Sequence, residues 1–265
     1  MISVGRWLAT CQIDRRDAEI LLGESLGISR SKIVTEPEAL ISPTNESNLN
    51  ALAKSVQSGL PIAYAIGHWE FWGLTLKLND ATLIPRPDTE LLVELGLDRT
   101  PTSASVLELG TGSGAIAIAL TKTRPDIRLT ATDLAPSAIV IAKENADHHS
   151  VHIQFKQTSW FDGLNDVWDV IISNPPYVAM NDPHLAGLSH EPVTALVSGP
   201  EGLDDLRHII AEAPAHLSQV GQLFLEHGYD QGSAVRKLFI EAGFQKIETH
   251  TDLGNNERVT TGQIQ

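Results

Sequence analysis

Through the first 67 residues apolar positions recur at spacings of three and four. Ala18, Leu21, Leu22 and Leu26 share one helical face, and Leu49, Leu52, Ala53 and Val56 share another. Pro43 and the Gly59-Leu60-Pro61 segment break these helices. Between Trp69 and Leu83 the period shortens: Phe71, Leu74, Leu76 and Leu78 lean towards alternation around Gly73, which predicts a β-hairpin. From residue 105 short apolar runs alternate with helical patterns. Strands are predicted near 105–109, 128–132, 152–156, 169–173, 221–226, 245–250 and 258–263. Helices are predicted over 115–123, 137–147, 203–216 and 232–242, with Gly221 and Gly243 ending the last two. This order predicts an α/β fold: a seven-stranded parallel sheet with helices on both faces. The expected organisation is a helical domain over 1–67, a hairpin linker over 68–84 and the α/β domain over 85–265. A further helix through 90–97 is expected, capped by Asp88 or Thr89 after the Pro85-Arg86-Pro87 turn.

Composition narrows the classes. No apolar run approaches the roughly 20 residues needed to span a bilayer. Arg6, Asp14, Arg15 and Arg16 flank only short apolar pieces, unlike a secretory signal. A cytoplasmic location without membrane association is expected. The single cysteine, Cys11, cannot form an internal disulfide or supply a metal cluster, and is expected to be a small buried apolar residue. Lys and Arg number 19 against 33 Asp and Glu, a formal charge of −14, which opposes stable binding to a phosphate backbone. The basic residues Arg6, Arg15, Arg16, Arg30 and Lys32 are interspersed with acids and read as a solvated helix face.

Candidate chemistry lies at the carboxyl ends of the predicted strands. Val106-Leu-Glu-Leu-Gly-Thr-Gly-Ser-Gly114 closes the first strand and opens a helix. Gly110, Thr111, Gly112, Ser113 and Gly114 thus offer backbone N–H groups and a surface without side chains that a nucleoside cofactor can approach. Gly110, Gly112 and Ala115 also satisfy the relaxed fingerprint of nicotinamide dinucleotide binders. Asp133, ending the second strand, suits the ribose hydroxyls of either cofactor. Trp160, after the third strand, is placed to flank an adenine, or to serve as a packing tryptophan.

The discriminating feature ends the fourth strand: Val170-Ile-Ile-Ser-Asn-Pro-Pro-Tyr177. Asn-Pro alone is a common turn starter. Here, however, Pro175 and Pro176 stiffen the backbone directly after Asn174. The Asn174 side-chain oxygen and the Pro175 carbonyl can accept two hydrogen bonds from one planar amino group, and the Tyr177 ring can stack on its face. Such a cradle suits methylation of an amide or aromatic amine and has no role in hydride transfer.

With the glycine loop, Asp133 and Asn174-Pro175-Pro176-Tyr177 in this order, the chain resembles the class I S-adenosylmethionine methyltransferases, whose sheet is seven-stranded and Rossmann-like. It is similar in particular to the bacterial release factor glutamine methyltransferases. The similarity extends through Arg15-Arg-Asp-Ala-Glu-Ile-Leu-Leu22, Glu70-Phe-Trp72, Leu83-Ile-Pro-Arg-Pro-Asp-Thr-Glu90 and Asn256-Glu-Arg-Val259. The resemblance implies methylation of the side-chain amide of the glutamine in the Gly-Gly-Gln motif of peptide-chain release factors. The helical amino-terminal domain would help dock that substrate to a monomeric enzyme. It also implies that Gly110 to Gly114, Asp133, Trp160 and Asn174 bind the cofactor, and Asn174 to Tyr177 the substrate glutamine. Related chemistries share the cradle: a glutamine methyltransferase of a ribosomal protein, and an adenine amino-group methyltransferase of DNA. The net charge opposes the latter. A cofactor-binding adaptor without catalysis would leave the intact cradle unexplained.

Overall fold

A computed structural model describes residues 1–265. The chain divides into two compact units, Met1–His68 and Trp69–Gln265.

In the first unit, helices α1 (Val4–Thr10), α2 (Arg15–Leu26), α3 (Arg30–Thr35), α4 (Pro43–Gln57) and α5 (Ile62–Ile66) pack around Trp7, Ala18, Leu21, Leu22, Ile33 and Leu49. Asp14 caps α2 by accepting from Arg16 N at 2.7 Å, and Gly27 ends it in the left-handed region at φ 63°. Pro43, expected to interrupt a helix, is the first residue of α4, where its missing N–H leaves no bond unmade. Two short strands, β1 (Ile2–Ser3) and β2 (Leu40–Ile41), pair antiparallel. At two residues each they are too short for periodicity to register. Arg15 and Arg30 converge on the buried Glu19 at 2.7 Å each, while their own side chains remain exposed. Cys11, expected to be buried, is only partly so, with Sγ directed at Leu8 O at 3.3 Å.

The hairpin of β3 (His68–Phe71) and β4 (Leu74–Lys77), in the second unit from Trp69 onward, turns at Trp72-Gly73. Its Phe71 and Leu76 belong to the same core as Val106, Ile118 and Ile172. Strands β5 (Ser105–Leu109), β6 (Arg128–Asp133), β7 (Gln154–Gln157), β8 (Trp168–Ser173), β9 (Leu217–Glu226), β10 (Gln245–Thr251) and β11 (Glu257–Gln263) form one sheet in the order β10-β11-β9-β8-β5-β6-β7. Pairing is parallel from β7 to β9, and β11 inserts antiparallel between β9 and β10. Helices α6 (Glu90–Arg99), α7 (Ala115–Thr123), α8 (Pro136–His148), α9 (Asp204–His216) and α10 (Gly232–Glu241) accompany it. The chain leaves β5 towards β6 and β7, then returns to β8 on the other side of β5. A ligand crevice belongs at that switch point. No helix is long and apolar enough to cross a membrane.

Two further expectations need correction. Gly221 does not end a helix: α9 stops at His216, and β9 begins at once with Leu217. Trp168 pairs with Leu217 but Val170 with Gln222, so a bulge carrying Gly221 sits inside the strand. A Cβ on Gly221 would lie 2.8 Å from Ser218 O, which explains the glycine. Nor does Asp88 or Thr89 cap α6. Pro87–Thr89 form a 3-10 turn leading into the helix, with no side-chain cap bond. Asp88 instead pairs with Arg258 at 3.1 Å, and Thr89 Oγ1 accepts from Asn174, as described next.

Candidate active site

The loops after β5, β6 and β8 open onto one cavity of about 480 Å³. Such a volume suits a nucleoside cofactor. Gly110, Thr111, Gly112 and Ser113, with Asp133, Trp160, Asn174 and Pro176, line it. Gly114 lies behind the loop, where a Cβ would come within 3.0 Å of Ile118 Cδ1 and 3.3 Å of Ala142 Cβ. Its φ of 85° and the φ of 55° at Gly112 fall in the left-handed region.

Short-range bonds hold the loop. Thr111 N donates to Thr132 O, Gly114 N to Thr111 O and Gly112 N to Asp133 Oδ2, all at 2.8 Å. Asp133 Oδ1 accepts from Ala135 N at 2.9 Å. The Asp133 carboxylate is thereby fixed while each oxygen keeps a lone pair, and burial raises its pKa. An added Cβ at Gly112 meets nothing within 4 Å, so open space lies above that backbone. A glycine floor, an immobilised carboxylate and open space between them fit a ribose-bearing cofactor. Trp160, at φ 41°, donates from Nε1 to Asp205 Oδ1 at 3.2 Å, and its ring lies 3.6 Å from the position of a Cβ on Gly110. It both packs against the loop and faces the cavity.

Sequence reasoning passed over two residues on this side. Glu108 of β5 is fully buried, accepts from Thr111 Oγ1 at 2.6 Å and is pushed up to about 8 by desolvation. Asn145 of α8 is also fully buried. It accepts from Lys77 N at 2.8 Å and donates to Lys77 O at 3.0 Å and Ser113 O at 2.9 Å, tying β4 to the glycine loop. An amide with its donors and acceptor engaged is the form in which a buried asparagine is stable.

On the other side, Asn174 Nδ2 donates to Thr89 Oγ1 at 3.1 Å. That bond turns the carboxamide so that Oδ1 remains for a ligand. Pro175 is buried and Pro176 lines the cavity. Tyr177 departs from its expected stacking role: its ring packs with the cluster around Leu107 and Ile171, outside the cavity wall. Its hydroxyl donates to Glu226 Oε1 at 3.1 Å. Burial raises the Tyr177 pKa further, keeping the phenol a donor. Gln231 Nε2 donates to Tyr177 O at 3.0 Å and Gly202 O at 3.2 Å, pinning the exit from the Pro-Pro segment. Arg86, on the cavity wall, pairs with the buried Glu191, which also accepts from Ile84 N at 3.2 Å. Glu90 accepts from Trp72 N at 3.0 Å, fastening the hairpin tip to α6. The signal for Glu226 was present in the sequence: a carboxylate closing the apolar run Leu223-Phe-Leu-Glu226.

Residues 87–190 match the model of the methyltransferase small domain, and residues 7–67 that of the PrmC N-terminal domain. The chain is 44% identical over 253 residues to the release factor glutamine methyltransferase of Aliivibrio fischeri, covering 93% of this chain and 89% of that one. It is 44% identical over 261 residues to the release factor glutamine methyltransferase of Escherichia coli K12, covering 97% and 94%. Among solved structures, the Thermus thermophilus 16S rRNA N2 G1207 methyltransferase, in complex with AdoMet and guanosine, superposes with a TM-score of 0.55 at 16% identity. That match covers 75% of this chain and 50% of that one, a likeness of fold alone.

Proposed function

From the premise that the chain belongs to the release factor glutamine methyltransferase family, we propose that it methylates the side-chain amide nitrogen of the glutamine in the Gly-Gly-Gln motif of peptide-chain release factors. It is a protein-(glutamine-N5) methyltransferase. The proposed methyl donor is S-adenosylmethionine, held by Gly110 to Ser113, Asp133, Trp160 and Asn174, with Gly114 shaping the loop from behind. When bound, it would supply a sulfonium-activated methyl for direct transfer to the amide nitrogen, with S-adenosylhomocysteine as the product. The observation that carries the reading is the orientation of Asn174, whose Nδ2 is spent on Thr89 beside a cavity floored by the glycine loop.

The nucleophile is the obstacle, because resonance worth a rotation barrier of roughly 18–20 kcal/mol ties up an amide nitrogen lone pair. Asn174 Oδ1 and the Pro175 carbonyl accept the two N–H bonds of the substrate amide. They thereby favour a nitrogen geometry that directs electron density at the methyl. Alignment of this kind recovers up to about 7–11 kcal/mol in favourable systems. No strong base is required, since the methylated amide cation sheds its proton to water. Pro176 stiffens the cradle. Tyr177 packs behind it, its hydroxyl donating to Glu226. The helical unit Met1–His68 docks the release factor, and the enzyme works as a cytoplasmic monomer.

Incubation with labelled S-adenosylmethionine and an unmodified release factor, followed by mass mapping of the Gly-Gly-Gln peptide, tests this function. One added methyl on that glutamine, lost in a Gln→Ala substrate, is the expected outcome. Label in a parallel sample of unmethylated DNA, and none in the release factor, would transfer the cradle to adenine.

A further inference from the structure

Three polar side chains beside Trp160 or bonded to it line the cavity: Thr158 and Ser159 from the turn after β7, and Asp205 from the first turn of α9. Asp205 is held from two directions. Its backbone N donates to Oγ of the buried Ser198 at 2.7 Å, and its Oδ1 accepts from Trp160 Nε1 at 3.2 Å. Trp160 takes this position at φ 41°, in the left-handed region that a bulky residue rarely occupies. Asp205 Oδ2, by contrast, takes no hydrogen bond or ion pair from the chain. Its neighbour Asp204 is paired with Arg207 at 3.0 Å.

The three side chains differ in what they can tell apart. Thr158 Oγ1 gives its hydrogen to Asp162 O at 2.6 Å and keeps only the weaker acceptance of a neutral hydroxyl. The Ser159 hydroxyl carries both a hydrogen and lone pairs, so it meets an amino or a keto group equally well. A carboxylate oxygen only accepts, and does so strongly.

We propose that Asp205 is a specificity-determining residue of the cofactor site. Its Oδ1 fixes the edge of the indole, and its Oδ2 accepts from the exocyclic amine of a base held beside that ring. The site therefore favours a 6-aminopurine and repels the carbonyl of a 6-oxopurine. The proposal rests on S-adenosylmethionine as the donor and deepens that reading, because the glycine loop and Asp133 address the ribose and leave the identity of the base unread. A role at the helix terminus alone would be met by any acid in the first turn of α9, where Asp204 already stands, and would not distinguish bases.

The test is titration calorimetry of the full chain with S-adenosylhomocysteine and with S-inosylhomocysteine, in which a 6-keto group replaces the amine. The wild type should bind the adenosyl compound about tenfold to a hundredfold more tightly, the scale of one hydrogen bond to a charged group. In Asp205→Asn the amide oxygen stays with the indole and its NH2 takes the place of Oδ2. The adenosyl compound should then weaken about tenfold, the inosyl compound should gain, and the preference should vanish or invert. A role confined to packing or to the helix terminus would shift both compounds together and leave their ratio at the wild-type value. That result overturns the proposal, and so do equal affinities of the two compounds for the wild type. Should Asp205→Asn not fold, Asp205→Ala is read by the same ratio, and a wild-type preference there overturns the proposal as well. Binding of neither compound to the folded wild type removes S-adenosylmethionine as the donor, and this proposal with it; binding without preference sinks the proposal alone.

Discussion

The glycine loop and the Asn174 segment line one cavity but are held by bonds of very different reach. On the loop side, Thr111 bonds Glu108 three residues away, and Gly112 bonds Asp133 21 residues away. On the amide side, Asn174 bonds Thr89 across 85 residues, and Tyr177 bonds Glu226 across 49. The loop is thus shaped mainly within β5-α7-β6, with Asn145 of α8 tying Ser113 O to β4. The Asn174 carboxamide, by contrast, is oriented only once β8 and the turn before α6 have assembled. Damage to the first should appear as lost cofactor affinity, and damage to the second as lost turnover.

The largest effect separating the two sides is expected from Asn174→Ala. It should lower kcat by about 10²–10³-fold, the scale for removing a group that acts at the transition state, with cofactor affinity nearly unchanged. Steady-state kinetics with titration calorimetry would measure both, and a kcat within tenfold of wild type would break the assignment. Next is Gly114→Ala, which forces φ 85° on a residue with a Cβ and presses it against Ile118 and Ala142. A loss of about 1–2 kcal/mol in thermal stability, with weakened cofactor binding, is expected. Unaltered unfolding would mean that the helix start relaxes freely.

Asp133→Asn is milder. Its amide must turn an NH2 towards one of the N–H donors of Gly112 and Ala135, so cofactor affinity should fall about tenfold, or ~1.4 kcal/mol. Loss of turnover at saturating cofactor would instead place Asp133 in the chemistry. The smallest effect, taken over the single unit from pH 7 to 8, is a pH dependence of stability from Glu108. Its folded pKa of about 8 lies above the ordinary 4.5, so in that window the folded chain keeps a proton the unfolded chain has lost. Stability therefore falls as pH rises from about 4.5 to 8. Between pH 7 and 8 the contribution is about 1 kcal/mol, and Glu108→Gln should remove it from denaturant titrations.

Both sides were legible in the sequence to different depths. The strand at 105–109, the helix at 115–123 and the glycines of the loop follow from period and from the φ that tight turns demand. Asn174 and Pro176 could be singled out because consecutive prolines restrict their own neighbourhood. Tyr177 was misdirected: a ring beside a cradle suggests stacking, and only its burial and its bond to Glu226 reveal the other use. Thr89 looked like a helix cap because local chemistry allows it, yet its oxygen serves Asn174. Gly221 looked like a helix stop, whereas a bulge opposite Trp168 and Val170 required it.

What the sequence alone determined is what depends on neighbours along the chain: the alternation of strands and helices, the glycine loop, the acid ending β6 and the rigid Asn-Pro-Pro segment. Tertiary structure decided which way the Asn174 amide faces and where Tyr177 points. Those outcomes hinge on hydrogen bonds between groups far apart in the chain, Asn174 with Thr89 and Tyr177 with Glu226, and a hydroxyl or amide has no preferred direction until such partners are in place.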